Sequence, residues 1–228
     1  MTSTGAFTTE HVDGVLTLSF DDGKANTLNT DRLRELHSLI DGAAADGTTA
    51  IVIRGRERMF SAGLDVKWLA TLDGDGLIEL SQVFSSTMLG LLRSPVPTIA
   101  EVTGHAIAGG AILAMACDHR IATAGEFRFQ MNEVAIGITM PQWMVVITSS
   151  AVPEPQRFDL LQLARPFGVG DALAMGTYHQ VVAAEDRPAA VAAVAAELSV
   201  LDRNAFAGTK SVLWDAASEA ALAEIAAS

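Results

Sequence analysis

The 228-residue chain reads as an α/β protein, a mostly parallel sheet with helices packed on it and a helical region at the C-terminal end. Three observations predict this. Short apolar runs typical of strands buried on both faces alternate with longer stretches of helical periodicity. The order of these runs is strand–helix–strand–helix, as in parallel sheets. After Pro141 the pattern becomes largely helical, and the last two segments are alanine-rich. Half of the residues are apolar, enough for a sizeable core.

Val15 to Phe20 alternates, is rich in strand formers and ends at the turn signal Asp21-Asp22-Gly23. Thr30 or Asp31 is placed to cap a helix carrying Leu33, Leu36 and Ile40, with Gly42 and Gly47 bracketing its end. Ala50 to Ile53 is a continuous apolar strand. A glycine-containing loop around Ser61-Ala62-Gly63 precedes a helix over Gly76 to Arg93, which Pro95 and Pro97 stop. Thr98 to Val102 reads as a strand, and Gly104 to Cys117 as a glycine-bearing turn that becomes a helix. Arg120 to Ala124 and Glu126 to Phe129 read as strands. Beyond Pro141, helices are expected over Pro155–Leu163, Gly170–Met175, Arg187–Leu201 and Asn204–Ala226, with a short strand at Tyr178–Val182.

Composition narrows the function. The net charge of −12, from 27 acidic and 15 basic side chains, argues against a nucleic-acid partner, which needs a basic footprint. The single cysteine, Cys117, allows neither an intrachain disulfide nor a multi-thiolate zinc site, and the histidines lack partners at metal-ligand spacing, so no metal is expected. The first residues carry no signal or transit pattern. The longest apolar run, Ala106 to Cys117, is too short to span a bilayer, so a cytoplasmic protein without a membrane partner is expected.

Two glycine turns and one carboxylate carry the chemistry. Phe60-Ser61-Ala62-Gly63-Leu64-Asp65 and Gly104-His105-Ala106-Ile107-Ala108-Gly109-Gly110 each follow a strand, and such turns present backbone N–H groups to an anion. Each alone also fits plain packing, and neither matches a P-loop or a dinucleotide fingerprint. Glu133 lies in the otherwise apolar segment Met131 to Ile138. It is either a surface glutamate at a helix start or a carboxylate whose apolar surroundings make it a stronger base.

In order and spacing, these pieces resemble the crotonase (enoyl-CoA hydratase/isomerase) superfamily from about Val15 to about Trp214. The signposts are Ala25-Asn26-Thr27-Leu28, Phe60 to Asp65, Pro97 to Ala100, Gly104 to Asp118, Asp118 to Ile121, and Glu133 with Gly137. The resemblance implies a spiral core of ββα units over residues 1–185 and a helical C-terminal region over 186–228, shorter than in most members. It implies a homotrimer or a dimer of trimers, and an acyl-CoA substrate in which coenzyme A is part of the substrate and no separate cofactor is needed. By position, the backbone N–H groups of Leu64 and Gly109 form an oxyanion hole. The backbone around Ala62 and Leu64, with the neighbouring Ala25 and Asp65, receives the coenzyme, and Lys24 and Lys67 serve its phosphates unless they are merely solvated cations. Ile107, Ile112, Met131 and Trp143 line the acyl pocket or are plain core.

Family hydratases carry two glutamates, one of them where this chain has Ile112. Adding water needs one group to activate water and another to supply a proton. The segment Asn132 to Trp143, with its Asn-Glu pair, Gly-Ile and Pro-x-Trp, is similar to the mitochondrial-type Δ3,Δ2-enoyl-CoA isomerases, in which one glutamate suffices to shift a double bond. The alternatives are a hydratase or another single-glutamate crotonase reaction, and a non-catalytic acyl-CoA-binding protein. A serine hydrolase on the same architecture finds no Gly-x-Ser-x-Gly elbow here.

Overall fold

The computed structural model describes residues 2–227. Its strands are β1 (Thr2–Thr4), β2 (Phe7–Val12), β3 (Val15–Phe20), β4 (Thr27–Leu28), β5 (Ala50–Arg54), β6 (Arg58–Ser61), β7 (Gly63–Leu64), β8 (Thr98–Val102), β9 (Gly104–Ile107), β10 (His119–Thr123), β11 (Arg128–Gln130), β12 (Phe167–Gly168) and β13 (Gln180–Val182). The helices are α1 (Thr30–Ala45), α2 (Val66–Leu69), α3 (Gly74–Leu92), α4 (Gly109–Met115), α5 (Gln142–Ala151), α6 (Glu154–Arg157), α7 (Val169–Ala174), α8 (Arg187–Ser199) and α9 (Arg203–Ala227).

A seven-stranded sheet has the order β1-β2-β3-β5-β8-β10-β13, antiparallel up to β3 and parallel from there on. A four-stranded sheet has the order β12-β11-β9-β6, and β4 pairs with β7. Each central strand of the large sheet is followed by a strand outside it. Thus β3 leads to β4 and α1, β5 to β6 and β7 and then α3, β8 to β9 and α4, and β10 to β11 and, after a one-turn 3-10 segment, α5. This repeated ββα step winds the chain into a spiral, the crotonase-like core the sequence implies. β9 presses so closely on β6 that a Cβ at Gly104 would overlap the Arg58 backbone.

The turn read at Gly104 is therefore a strand, because its residues pair with β6, across a bulge between Met59 and Ser61, and with β11. The glycine loop at residues 61–63 is likewise drawn into β6 and β7. Asn29, not Thr30 or Asp31, caps α1, its side chain accepting from the Arg32 N–H at 2.9 Å. Gly42 stays inside that helix, and the left-handed Gly47 follows it. The strand read at Glu126–Phe129 begins two residues later, and Pro155–Leu163 divides into α6 and a π-helical turn over Phe158–Gln162.

The two C-terminal helices take different places. Val191, Val194 and Ala195 of α8 pack on Ala50, Val52, Ile99 and Ile121, covering one face of the large sheet. An ion pair holds its start: Glu101 of β8, only 1 % exposed, accepts from Arg54 at 2.6 Å and from Arg187 at 2.8 Å. Helix α9 instead packs against α3 and α5. Its buried Lys210 lies 2.9 Å from Asp118 Oδ1, and Asp118 Oδ2 accepts from both the N–H and the hydroxyl of Thr98 at 2.9 Å.

Candidate active site

The two glycine turns meet backbone to backbone. A Cβ on Gly63, whose φ is +81°, would lie 2.7 Å from the amide nitrogen of Gly109 and 3.0 Å from the carbonyl oxygen of Ile107. Gly109 opens α4, so its N–H has no acceptor within the helix. Ala108 before it adopts φ +51°, rare for a residue with a side chain. Its N–H donates to the Gln130 carbonyl at 2.8 Å, which fixes the turn to β11. Gly110 sits against the Ser61 carbonyl, where a Cβ would overlap. Gly110→Ala is therefore expected to cost about 1–3 kcal/mol of stability, read from denaturant midpoints, by forcing α4 off β6.

The first turn is braced by the loop at residues 22–28. The Asp22 carboxylate accepts from the N–H groups of Lys24, Asn26 and Thr27 at 2.8, 2.8 and 2.9 Å, and from Arg32 at 3.1 Å. Fully buried Asn26 donates to the carbonyls of Phe20 and Phe60, and Ser61 donates to the carbonyl of Asn26 at 2.7 Å. Burial works against ionising Asp22, but the backbone donors outweigh it and hold its pKa at about 2, below the ordinary 3.8. The stabilisation is thus complete above pH 3.8 and lost as pH falls through 2. Asp22→Asn should cost about 2 kcal/mol at pH 7, and the gap to wild type should close as unfolding is followed down toward pH 2.

Beside the turns lies a cavity of about 370 Å³. Its walls come from Ala62, Leu64 and Gly109, from Leu77, Leu80 and Phe84 of α3, and from Trp143 and Met144 of α5. The Phe84 and Trp143 rings meet edge to face at 4.9 Å. Among the described residues, Glu133 is the only titratable side chain in the lining. It is 5 % exposed, and its Oε2 has no hydrogen-bond partner among the described residues. The same holds for the buried Oδ1 of Asn132, which also lines the cavity. Loss of water around Glu133 pushes its pKa above the ordinary carboxylate range, against weaker lowering by the backbone N–H groups of Glu133 and Asn132. The surface-glutamate reading of Glu133 is thereby excluded. The arrangement provides a buried carboxylate with a raised pKa facing a mostly hydrocarbon space next to two closely spaced backbone turns.

Other residues singled out in the sequence fall as follows. Trp143 lines the cavity, whereas Ile107 stands outside the lining, and Ile112 and Met131 are fully buried core residues behind it. Lys24 and Lys67 are exposed, and Ala25 accepts from the Ala62 N–H at 3.0 Å. Asp65 caps α2, accepting from the N–H groups of Lys67 and Trp68 at 3.0 and 3.1 Å. The α3 residues Leu77, Leu80, Ser81 and Phe84 were not foreseen, although their i, i+3, i+4, i+7 spacing marks one helical face. No cluster that could hold a metal occurs among the described residues, and none of their helices is long and apolar enough to cross a membrane.

A family model described as enoyl-CoA hydratase/isomerase matches residues 10–228. The probable enoyl-CoA hydratase echA8 of Mycobacterium leprae is 29 % identical over 193 residues, 84 % of this chain and 74 % of that protein. A putative enoyl-CoA hydratase of Thermus thermophilus is 34 % identical over 165 residues, 71 % of this chain and 64 % of its own length. Solved chains match at nearly full length. An enoyl-CoA hydratase/isomerase family protein of Pseudomonas syringae superposes with a TM-score of 0.89 at 30 % identity, covering 96 % of each chain. EchA3 of Mycobacterium tuberculosis gives 0.90 at 32 % identity, covering 97 % of this chain and 95 % of its own; it has been described both as a probable enoyl-CoA hydratase and as an enoyl-CoA isomerase. With family, fold and cavity in agreement, the chain belongs to the enoyl-CoA hydratase/isomerase family of the crotonase superfamily.

Proposed function

We propose that this chain is a Δ3,Δ2-enoyl-CoA isomerase in which Glu133 is the sole acid/base. The observation that carries the reading is the lone, desolvated carboxylate in an otherwise uncharged cavity. The thioester carbonyl accepts hydrogen bonds from the N–H groups of Leu64 and Gly109. The coenzyme lies along Ala25, Ala62 and Asp65, with Lys24 and Lys67 toward its phosphates. Glu133 takes a proton from C2, and the electron pair moves onto the thioester oxygen as an enolate. Two such donors each lower the barrier by about 3 kcal/mol. The same carboxyl group then returns its proton to C4, leaving the double bond between C2 and C3 and Glu133 ionised again. Hydrocarbon walls keep that proton from exchanging with water. Ile112 occupies the position of the second hydratase glutamate and offers nothing to activate water.

The names borne by the relatives favour hydration as a second reading. One absorbance experiment distinguishes them. Given a 3-enoyl-CoA, the isomerase generates the conjugated 2-enoyl thioester band. Given a 2-enoyl-CoA, a hydratase erases it. Growth of the band from the 3-enoyl substrate, with a 2-enoyl substrate left unchanged, is the expected result; the reverse pattern would overturn the isomerase.

A further inference from the structure

We infer that the substrate is a long-chain acyl-CoA whose distal hydrocarbon leaves the Glu133 cavity across Ile138 and Thr139 and lies in a second groove. The inference rests on reading the cavity as the acyl-CoA site. The second groove has a volume of about 630 Å³, larger than the cavity, and its lining includes Val134, Met140, Val145, Phe158 and Leu161. Ile138 and Thr139 line both spaces, so the two are adjacent and this short wall is what stands between them. The wall follows the one-turn 3-10 segment Val134–Ile136, turns at left-handed Gly137, and has no regular secondary structure up to Pro141.

The groove is apolar yet open to water: Phe158 is 53 % exposed and Ile138 and Val134 are each 44 % exposed. Its polar members, Thr139, Glu154, Arg157 and Gln162, are a minority of the lining. Arg157 donates from Nη1 to the Ser149 hydroxyl at 2.7 Å, while its buried Nε has no hydrogen-bond partner among the described residues. An alkyl chain is the occupant that needs no hydrogen bond from such a surface, and it is covalently continuous with a thioester already seated next door. Each methylene moved from water into the groove tightens binding about fourfold.

The test compares a 3-hexenoyl-CoA with a 3-dodecenoyl-CoA on wild type, Phe158→Asp and Val145→Trp. The first variant makes the groove wall charged at an exposed position, and the second fills the groove. Wild type is expected to have at least tenfold lower KM for the longer ester. Either variant should raise that KM tenfold or more while leaving the shorter substrate within twofold. Equal KM values for both esters on wild type, or equal losses for both in the variants, would overturn the inference. If neither ester is turned over, the isomerase reading fails by itself. The groove is then read from calorimetric binding of hexanoyl-CoA and dodecanoyl-CoA, where the same selective loss supports it and chain-length-independent affinity overturns it.

Discussion

Glu133→Gln is expected to slow conversion of a 3-enoyl-CoA by about 10³-fold while leaving acyl-CoA affinity nearly unchanged. Glutamine keeps the shape of the side chain and its place in the cavity but cannot carry the proton from C2 to C4. The wild-type pH profile should follow the carboxylate. Burial holds the Glu133 pKa above 4.5, so kcat/KM rises as pH climbs through that raised value and then levels off. The stability effect has the opposite sign. Between its unfolded and folded pKa values the folded chain binds the extra proton, so ionisation of Glu133 costs stability as pH rises through this window. The variant does not bear this cost. It should melt higher than wild type at pH 7, and the difference should vanish below about pH 4.5. A variant both inactive and less stable at neutral pH would instead make Glu133 a structural residue.

Lys210→Ala should destabilise the chain by about 3 kcal/mol, read from urea midpoints. The amine is buried at the junction of α9 with the core, and its removal leaves the Asp118 carboxylate without its cation. The figure is at the low end for a broken buried pair because Asp118 is a quarter exposed and keeps both bonds from Thr98. Lys210→Met retains most of the stem packing, so a similar loss in both variants assigns the effect to charge. An unchanged midpoint in both would mean that the pair does not anchor α9.

The strands most legible in the sequence are those buried on both faces. Ala50 to Ile53 is a continuous apolar run, and Thr98 to Val102, buried throughout, is rich in β-branched residues after the helix-stopping Pro95 and Pro97, which suits central parallel strands. β1 and β2 escaped notice because Phe7–Val12 is an outer antiparallel strand, polar over most of its length and exposed over much of it. The Gly104 segment misled for another reason: its glycine is required by the approach of β9 to β6, a contact between strands more than forty residues apart. Glu133 and the two turns could be picked out because their chemistry is local. The cavity wall on α3 could not, since its apolar stripe looks the same whether it faces core or ligand. Which helix covers a site depends on the winding of the whole spiral.

Helix α9 rests on α3 and α5, two helices that also wall the cavity. Whatever steadies those helices from within also steadies α9 from without, and the coupling runs equally in both directions. Occupancy of the chamber beside Glu133 is therefore expected to be felt at α9. A proteinase nibbling at the C-terminal helix would find its target shielded when the chamber is full, and the chamber loosened once that helix is gone.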